Sequence, residues 1–368
     1  MAEAAVSRQT YWRLAFLRLK KNRAAMAALL MLAGLGLFCL LGPLFSPHPF
    51  DRVYPDYVRE PASLRLHPAP ERLQPAAERI VQRMRARVES YAAQGDVVRL
   101  VIAAPRPIDE RNLELFVRSD LFGKPIIAAR ADDGRGLMLE VPVERQRFLF
   151  GTDSNGRDLM ARMMVAGRIS LAIGLLASGV ALVIGVIYGA TSGYLGGRID
   201  LVMMRIVDVL YSLPFIFFVI LLVTFLGRNF LLMFIAVGAV EWLDMARIVR
   251  GQTLSLKRQE FVQAAEAMGV PGHDIIRRHI VPNLAGPVVV FVTLLIPKVI
   301  LLESFLSFLG LGVQEPQTSL GVLISEGAKS IQGGAYLLIF PAIMLTLLLV
   351  ALNFIGDGLR DALDPKER

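Results

Sequence analysis

The residues that could do chemistry are few and scattered. One cysteine, Cys39, can form neither an internal disulfide nor a thiolate metal cluster. The four histidines, His48, His67, His273 and His279, do not fall at metal-ligand spacings, which argues against a metalloenzyme. No Gly-x-x-x-x-Gly-Lys-[Ser/Thr] occurs, so no P-loop is available to cradle nucleotide phosphates. What stands out instead is a set of ionisable residues inside apolar stretches: Glu241, Asp244, Lys298 and Glu303. Such a group costs about 3 kcal/mol at the centre of a bilayer on insertion scales, so it faces protein or water. Lys298 and Glu303 are separated by roughly 140° on a helix and do not make an i,i+4 pair. Two readings stand: one or both line a polar cavity, or Lys298 snorkels to an interface while Glu303 bonds a neighbouring helix. Glu241 and Asp244 are expected to pair with Arg247 or Arg205.

The elements that must position these residues follow from composition. The chain has 368 residues, 54% hydrophobic and 20% charged, with a formal net charge of +8. Soluble domains run near 45–50% apolar and about 25% charged, so the composition indicates a polytopic membrane protein. A crossing helix needs roughly 20 apolar residues. Residues 24–46, 169–197, 209–227 and 330–356 meet that length or approach it. Two further spans carry interrupting charges: 229–248 through Glu241 and Asp244, and 280–312 through Lys298 and Glu303. Six spans result, and Pro214, Pro287 and Pro297 mark kinks or breaks in them.

Lys and Arg set the orientation. Arg8, Arg13, Arg18, Lys20, Lys21 and Arg23 precede the first span, and Arg198, Arg205, Arg247, Arg250, Lys257, Arg258, Arg277, Arg278, Arg360, Lys366 and Arg368 fall on the same side. The two short loops opposite hold only Arg228 and Lys329. Both termini are therefore expected in the cytoplasm, and the positive charge needs no nucleic-acid partner. The first apolar run is longer than a signal-peptide core of roughly 7–15 residues, and no small-x-small cleavage pattern follows it. Residues 11–16, mixing aromatic and basic side chains, read as an interfacial helix or as a solvated tail.

Residues 47–150 hold 17 basic and 15 acidic side chains, the balance of a solvated module. A helix over 76–93 is expected, with Ile80, Met84, Val88 and Tyr91 on one face. A strand at 97–102 and a hairpin of 126–130 with 137–143 complete a small α/β insertion on the outer side. It has no catalytic constellation; Asp109-Glu110 and Asp132-Asp133 read as turn residues.

The densest pattern lies at 245–282. A helix over 259–268 is stopped by Gly269 and by Pro271, and Ala264, Ala265 and Ala267 leave its backbone open to close approach. A second helical stretch starts near His273. By shape this is a docking element; the alternative is a plain connecting loop. The run Gln263-Ala264-Ala265, with Gly269 and then Pro282 at their distances, resembles the EAA loop of ABC importer permeases, with Gln263 in place of the usual Glu. Further blocks resemble the C-type permease subunit of bacterial oligopeptide/dipeptide importers. They are Phe150-Gly151-Thr152-Asp153-Ser154-Asn155-Gly156-Arg157-Asp158, then Gly193-Tyr194-Leu195-Gly196-Gly197-Arg198-Ile199-Asp200, and the runs 305–312 and 356–365. Read without that resemblance, 193–197 is a tight inner turn rather than a nucleotide cradle. Asp153 and Asp158 cap and start an outer interfacial helix at 157–166 rather than form a calcium loop.

The resemblance implies an all-α integral membrane fold, the six-helix type I ABC importer permease bundle, with the α/β insertion between helices 1 and 2. The chain then divides into a basic tail (1–23), the first helix (24–46), the extracytoplasmic insertion (47–150), the permease core (151–356) and a cytoplasmic tail (357–368). It implies a site in the bacterial inner membrane and a homologous permease as heterodimer partner. Two cytoplasmic ATPases and an extracytoplasmic peptide-binding protein complete the assembly. ATP and magnesium belong to the ATPases; this chain binds no cofactor and is not itself an enzyme. Coupling falls to Gln259, Glu260, Gln263, Ala264, Ala265 and Gly269, and Glu303 and Lys298 are candidates for the pathway. Asp153, Gly156, Arg157, Asp158, Gly193, Gly197, Asp200 and Pro282 are structural positions of the family. Alternative cargoes are a nickel complex, a modified peptide or another small solute. A proton-driven secondary transporter working through Glu303 would need inverted repeats, which are not found. A membrane sensor is disfavoured by the lack of a cytoplasmic catalytic domain.

Overall fold

The computed structural model describes residues 8–131, 134–214, 217, 220–221, 225 and 230–363. In chain order the elements are α1 (Arg8–Lys21), α2 (Arg23–Phe45), α3 (Pro70–Arg83), β1 (Arg87–Gln94), β2 (Val97–Ala103), α4 (Glu114–Val117), β3 (Ile126–Arg130), β4 (Gly136–Pro142), α5 (Leu159–Leu195) and α6 (Gly197–Ser212). There follow α7 (Phe230–Lys257), α8 (Glu260–Ala267), α9 (Gly272–Phe308), α10 (Leu320–Lys329) and α11 (Tyr336–Leu363). They divide into two units: 46–162 with 330–337, and the remaining helices.

The first unit is built on an antiparallel sheet of order β1-β2-β4-β3. Strand alternation puts Val98, Leu100 and Ile102 of β2 on one face, directly opposite Val141, Leu139 and Leu137 of β4. That face is covered by Leu73, Ala77, Ile80 and Val81 of α3. The helix expected over 76–93 is corrected: it ends at Arg83, and Arg87–Gln94 is a strand. Val88 and Tyr91 do share the buried side, but through a register shift between Val88 and Ser90. A bulge puts positions three apart on one face of a strand, which imitates helical spacing.

Among the described residues of the second unit, four helices are long and apolar enough to cross a membrane: Arg23–Phe45, Leu159–Leu195, Gly272–Phe308 and Tyr336–Leu363. Three of them correspond to expected spans with shifted ends, and the fourth, Gly272–Phe308, is the span interrupted by Lys298 and Glu303. Nine residues of 209–227 lie outside the described residues, as do Arg228, Asp132, Asp133, Lys366 and Arg368. The separate helix expected at 157–166 is corrected to the first turns of α5, which runs unbroken for 37 residues. The tail at 11–16 is helical, and Asn22 caps the next helix by accepting from the Ala25 amide at 3.1 Å.

Helix α5 packs on α7 through a stripe of small residues, Ala177, Ala181, Gly185, Gly189 and Gly193, each one turn after the last. A side chain at Gly193 would stand 2.8 Å from Thr253 Cβ and 2.9 Å from the Arg250 carbonyl oxygen. At Gly189 it would meet Val249 Cβ at 2.9 Å. Close backbone approach replaces side-chain burial here, as expected where lipid offers no hydrophobic drive between helices.

Candidate functional site

The segment between α7 and α9 is shorter than the loop expected over 245–282. Helix α7 continues to Lys257, and α9 starts at Gly272. Only the stretch around α8 is irregular. Gln259 stands at the N-cap of α8 in extended conformation, and Glu260 places an acid in its first turn. The far end is a Schellman turn. Gly269, at φ +75°, donates its amide to the Glu266 carbonyl at 3.0 Å, and the Val270 amide donates to the Ala265 carbonyl at 3.1 Å.

Two faces of α8 differ sharply. Val262 and Ala265 point into a core with Ile275, Ile280, Leu284, Val249 and Tyr194. Ala265 is only 1% exposed, which corrects its expected place on the docking surface. Gln259, Glu260, Gln263, Ala264 and Gly269 are exposed. Gln263 spends one amide hydrogen on the Arg258 carbonyl at 3.4 Å. Phe261 and Met268 add exposed apolar surface beside them.

What holds α8 is a group of contacts absent from the expected site. Tyr194 has the Lys257 ammonium over its ring at 5.1 Å, and its carbonyl accepts from Lys257 Nζ at 2.6 Å. Its ring packs in the same core as Val262 and Ala265 of α8. Asp200 takes Arg250 Nε and Nη2 on separate oxygens, each at 2.6 Å, and the Ser192 hydroxyl at 2.5 Å. Chiefly through the Arg250 hydrogen bonds, this holds the Asp200 carboxyl below the usual carboxylate range. Gly193 lets α5 reach α7 beside that pair, and Gly196 and Gly197 make the turn with φ +68° and +56°. Pro282 follows a π-helical turn at Ile276–Ile280, where the Val281 amide reaches back to the Ile276 carbonyl. Widening the turn relieves the clash of the proline ring with the preceding carbonyls. The small-residue repeat ending at Gly193 is the signal that could have located Arg250 and Thr253 opposite it.

The ionisable residues within the helices form two separate groups. Lys298 Nζ lies 2.8 Å from Glu241 Oε2 and 3.0 Å from Asp244 Oδ2. This corrects the expected pairing of both acids with Arg247 or Arg205; Arg247 binds Asp208 instead, at 2.9 Å. The Lys298 side chain is 53% exposed. Glu303 is fully buried, taking the Ser307 hydroxyl at 2.6 Å with Ser170 at 3.5 Å, and it does not meet Lys298.

In the first unit, the 150–158 block folds as a buried polar hub. Asp153 Oδ1 accepts from the Asn155 and Arg157 amides, both at 2.8 Å, and Oδ2 takes Arg157 Nε at 2.8 Å and Arg162 Nη1 at 2.5 Å. Asp158 caps α5 through the Met160 and Ala161 amides and lies 2.7 Å from His48 Nδ1. Gly156, at φ +83°, passes against the Tyr54 backbone, where no side chain fits.

This arrangement, a bundle of apolar helices carrying a short, rigidly backed helix on an inter-helix connection, is that of a transport permease. The chain belongs to the family of binding-protein-dependent transport system inner membrane components, whose description matches residues 181–368. A second description, the N-terminal TM domain of oligopeptide transport permease C, matches residues 10–68. The oligopeptide transport system permease protein OppC of Haemophilus influenzae is 55% identical over 64% of this chain and 76% of its own length. OppC of Escherichia coli K12 is 59% identical over 64% and 78%, and the dipeptide transport system permease protein DppC of Bacillus subtilis is 47% identical over 60% and 69%. A chain of the inward-facing MetNI methionine ABC transporter overlaps 55% of this chain and 96% of its own at TM-score 0.47 and 18% identity.

Proposed function

We propose that this chain forms half of the transmembrane pathway of an ATP-driven peptide importer, beside a homologous permease. Six helices cross the bacterial inner membrane with both termini in the cytoplasm, and the insertion at 47–150 stands outside. Two ATPase subunits, which hold the ATP and magnesium, dock on the cytoplasmic face, and a binding protein delivers peptide from outside. The observation that carries the reading is the two-faced α8. Its buried Val262 and Ala265 make it rigid against α9, while Gln259, Glu260, Gln263, Ala264 and Gly269 are free to meet a partner. A push on α8 passes into α9, which carries Lys298 and its two carboxylate partners on α7. The peptide cargo is drawn from the OppC and DppC relatives.

The test is Ala264→Arg in the assembled transporter. A bulky charge on the exposed face clashes with a docked surface, which typically costs about 1–3 kcal/mol. ATPase co-purification is then expected to fall roughly tenfold or more, at about 1.4 kcal/mol per decade. The chain should still reach the membrane in normal amount. Full retention of ATPase and of peptide-stimulated hydrolysis would exclude α8 as the coupling element.

A further inference from the structure

The α/β insertion holds a second candidate site, and neither family description reaches its core, since they match 10–68 and 181–368. Between the C-terminal halves of α3 and α4 lies a cavity of about 430 Å³, bordered by Arg79, Arg83 and Arg118. That volume falls in the range of about 300–1,000 Å³ for small-ligand pockets. All three arginines are exposed. None has a carboxylate partner among the described residues; Arg79 makes one bond, from Nε to the Pro75 carbonyl at 3.2 Å. One acid borders the cavity, Asp56, and its Oδ2 is already taken by the Ser119 hydroxyl at 2.7 Å and the Asp120 amide at 3.1 Å. Ile80, Leu115 and Ala76 supply an apolar floor.

Helix geometry does not by itself require this cluster. A single cation at each helix C-terminus is favoured by the helix dipole, which accounts for Arg83 and Arg118 separately. It does not account for Arg79, one turn before Arg83 on the same face, where like charges repel. Nor does it account for three arginines meeting at one concavity. Four other arginines of the unit have carboxylate partners, Arg72 with Glu60, Arg99 with Glu140, Arg130 with Glu110 and Arg145 with Asp96. What sets Arg79, Arg83 and Arg118 apart from further ones unpaired among the described residues, such as Arg65, Arg106 and Arg111, is that they border one cavity. Guanidinium groups bind carboxylates through paired N–H donors, and three of them around an apolar floor suit a segment bearing more than one carboxylate.

We infer that this cavity is a recognition site for a carboxylate-rich peptide segment, whether in a free acidic peptide or on the surface of a folded protein. The two acidic sources share one chemistry. The inference does not depend on which cargo the transporter carries.

The experiment uses the full-length chain in nanodiscs of neutral phosphatidylcholine. A fluorescent hexapeptide of alternating glycine and glutamate is titrated by anisotropy, next to its counterpart with glutamine for glutamate. Saturable binding of the acidic peptide is expected, with affinity falling as salt rises and at least tenfold weaker binding of the glutamine peptide. Arg79→Gln/Arg83→Gln/Arg118→Gln should weaken the acidic peptide at least tenfold. Arg65→Gln/Arg106→Gln/Arg111→Gln removes the same charge from the same unit and should change affinity less than twofold. Thermal unfolding of both triple variants separates loss of the site from loss of the fold. If the cavity variant unfolds, Arg118→Gln alone, expected to weaken binding threefold or more, replaces it. A longer peptide that outcompetes the hexapeptide, against an acidic loop grafted on a carrier protein, distinguishes a free peptide from a protein surface. Equal binding of the two peptides, equal loss in the control variant, or no saturable binding would overturn the inference.

Discussion

Helices α3 and α8 end in the same hydrogen-bonded turn, built on different residues. At the end of α8, Gly269 takes φ +75°, with its amide on Glu266 and the next amide on Ala265. At the end of α3, Arg85 takes φ +58°, with its amide on the Gln82 carbonyl at 2.9 Å and the Ala86 amide on Val81 at 3.2 Å. Left-handed backbone costs an L-residue about 1–2 kcal/mol, and glycine avoids that cost. The turn at Gly269 needs nothing from outside itself, whereas the turn at Arg85 is held by what packs around it. Ala86 and Met84 are buried in the sheet-backed core, and β1 begins two residues later. A helix end can therefore be set by its own stereochemistry or imposed by its surroundings, and only the first kind leaves a mark in the amino-acid order.

That contrast can be broken or sharpened by substitution. The largest effect is expected from Ala265→Asp, which drives a charge into the core of Val262, Ile275, Ile280 and Leu284. An uncompensated buried charge costs about 3–5 kcal/mol, so α8 should detach from α9. Trypsin cleavage at Arg258 and Arg277 should accelerate sharply, and an unchanged cleavage rate would mean that α8 is not backed by that core.

Gly269→Val comes next. Nothing lies within 4 Å of an added Cβ, so the cost is backbone strain alone, about 1–2 kcal/mol. Hydrogen exchange over 265–271 should speed up accordingly, while Gly269→Asn, better tolerated in this conformation, should do less. Equal effects of Val and Asn would point to a side-chain clash instead.

Arg85→Gly runs the comparison backwards. Relief of left-handed strain is partly offset by the greater freedom of glycine in the unfolded chain, leaving a gain of about 0.5–1 kcal/mol. The thermal midpoint of the purified protein should rise. A fall would show that the Arg85 side chain, rather than its backbone, holds the turn.

The smallest effect concerns Asp200. Its folded carboxyl titrates below the ordinary range because of Arg250. The stabilisation is thus complete above the unfolded value, near pH 4, and is lost as pH falls through the lower folded value. Asp200→Asn should remove this acid-side dependence, its loss of stability being complete above pH 5 and vanishing at low pH, as measured by unfolding midpoints across pH. A pH profile unchanged by the substitution would rule the pair out as the source.

Much of the bundle was legible in the chain because its signals are local. Long apolar runs mark the helices, and the small-x-x-x-small repeat from Ala177 to Gly193 was present to be read. The end of α8 was visible in Gly269, and the N-cap in Asp158. The candidate site was only half legible. Its exposed positions Gln259, Glu260, Gln263 and Ala264 were named, but Ala265 was placed on the wrong face. Eight residues carry too little hydrophobic pattern to say which side faces the parent chain. Tyr194 and Asp200, which hold Lys257 and Arg250 beside the helix, lie 63 and 50 positions before those partners.

The amino-acid order by itself determined which segments are apolar and where glycine and capping residues permit a turn. These depend on neighbours within a few positions, through solvation and backbone sterics. Tertiary structure alone decided that Lys298 serves Glu241 and Asp244, 57 and 54 positions away, and that Glu303 rests among serines. It also decided that Val88 and Tyr91 share a face by a bulge rather than a helix. A charge or a strand takes the partner that packing brings within a few ångströms, and sequence separation does not enter that distance.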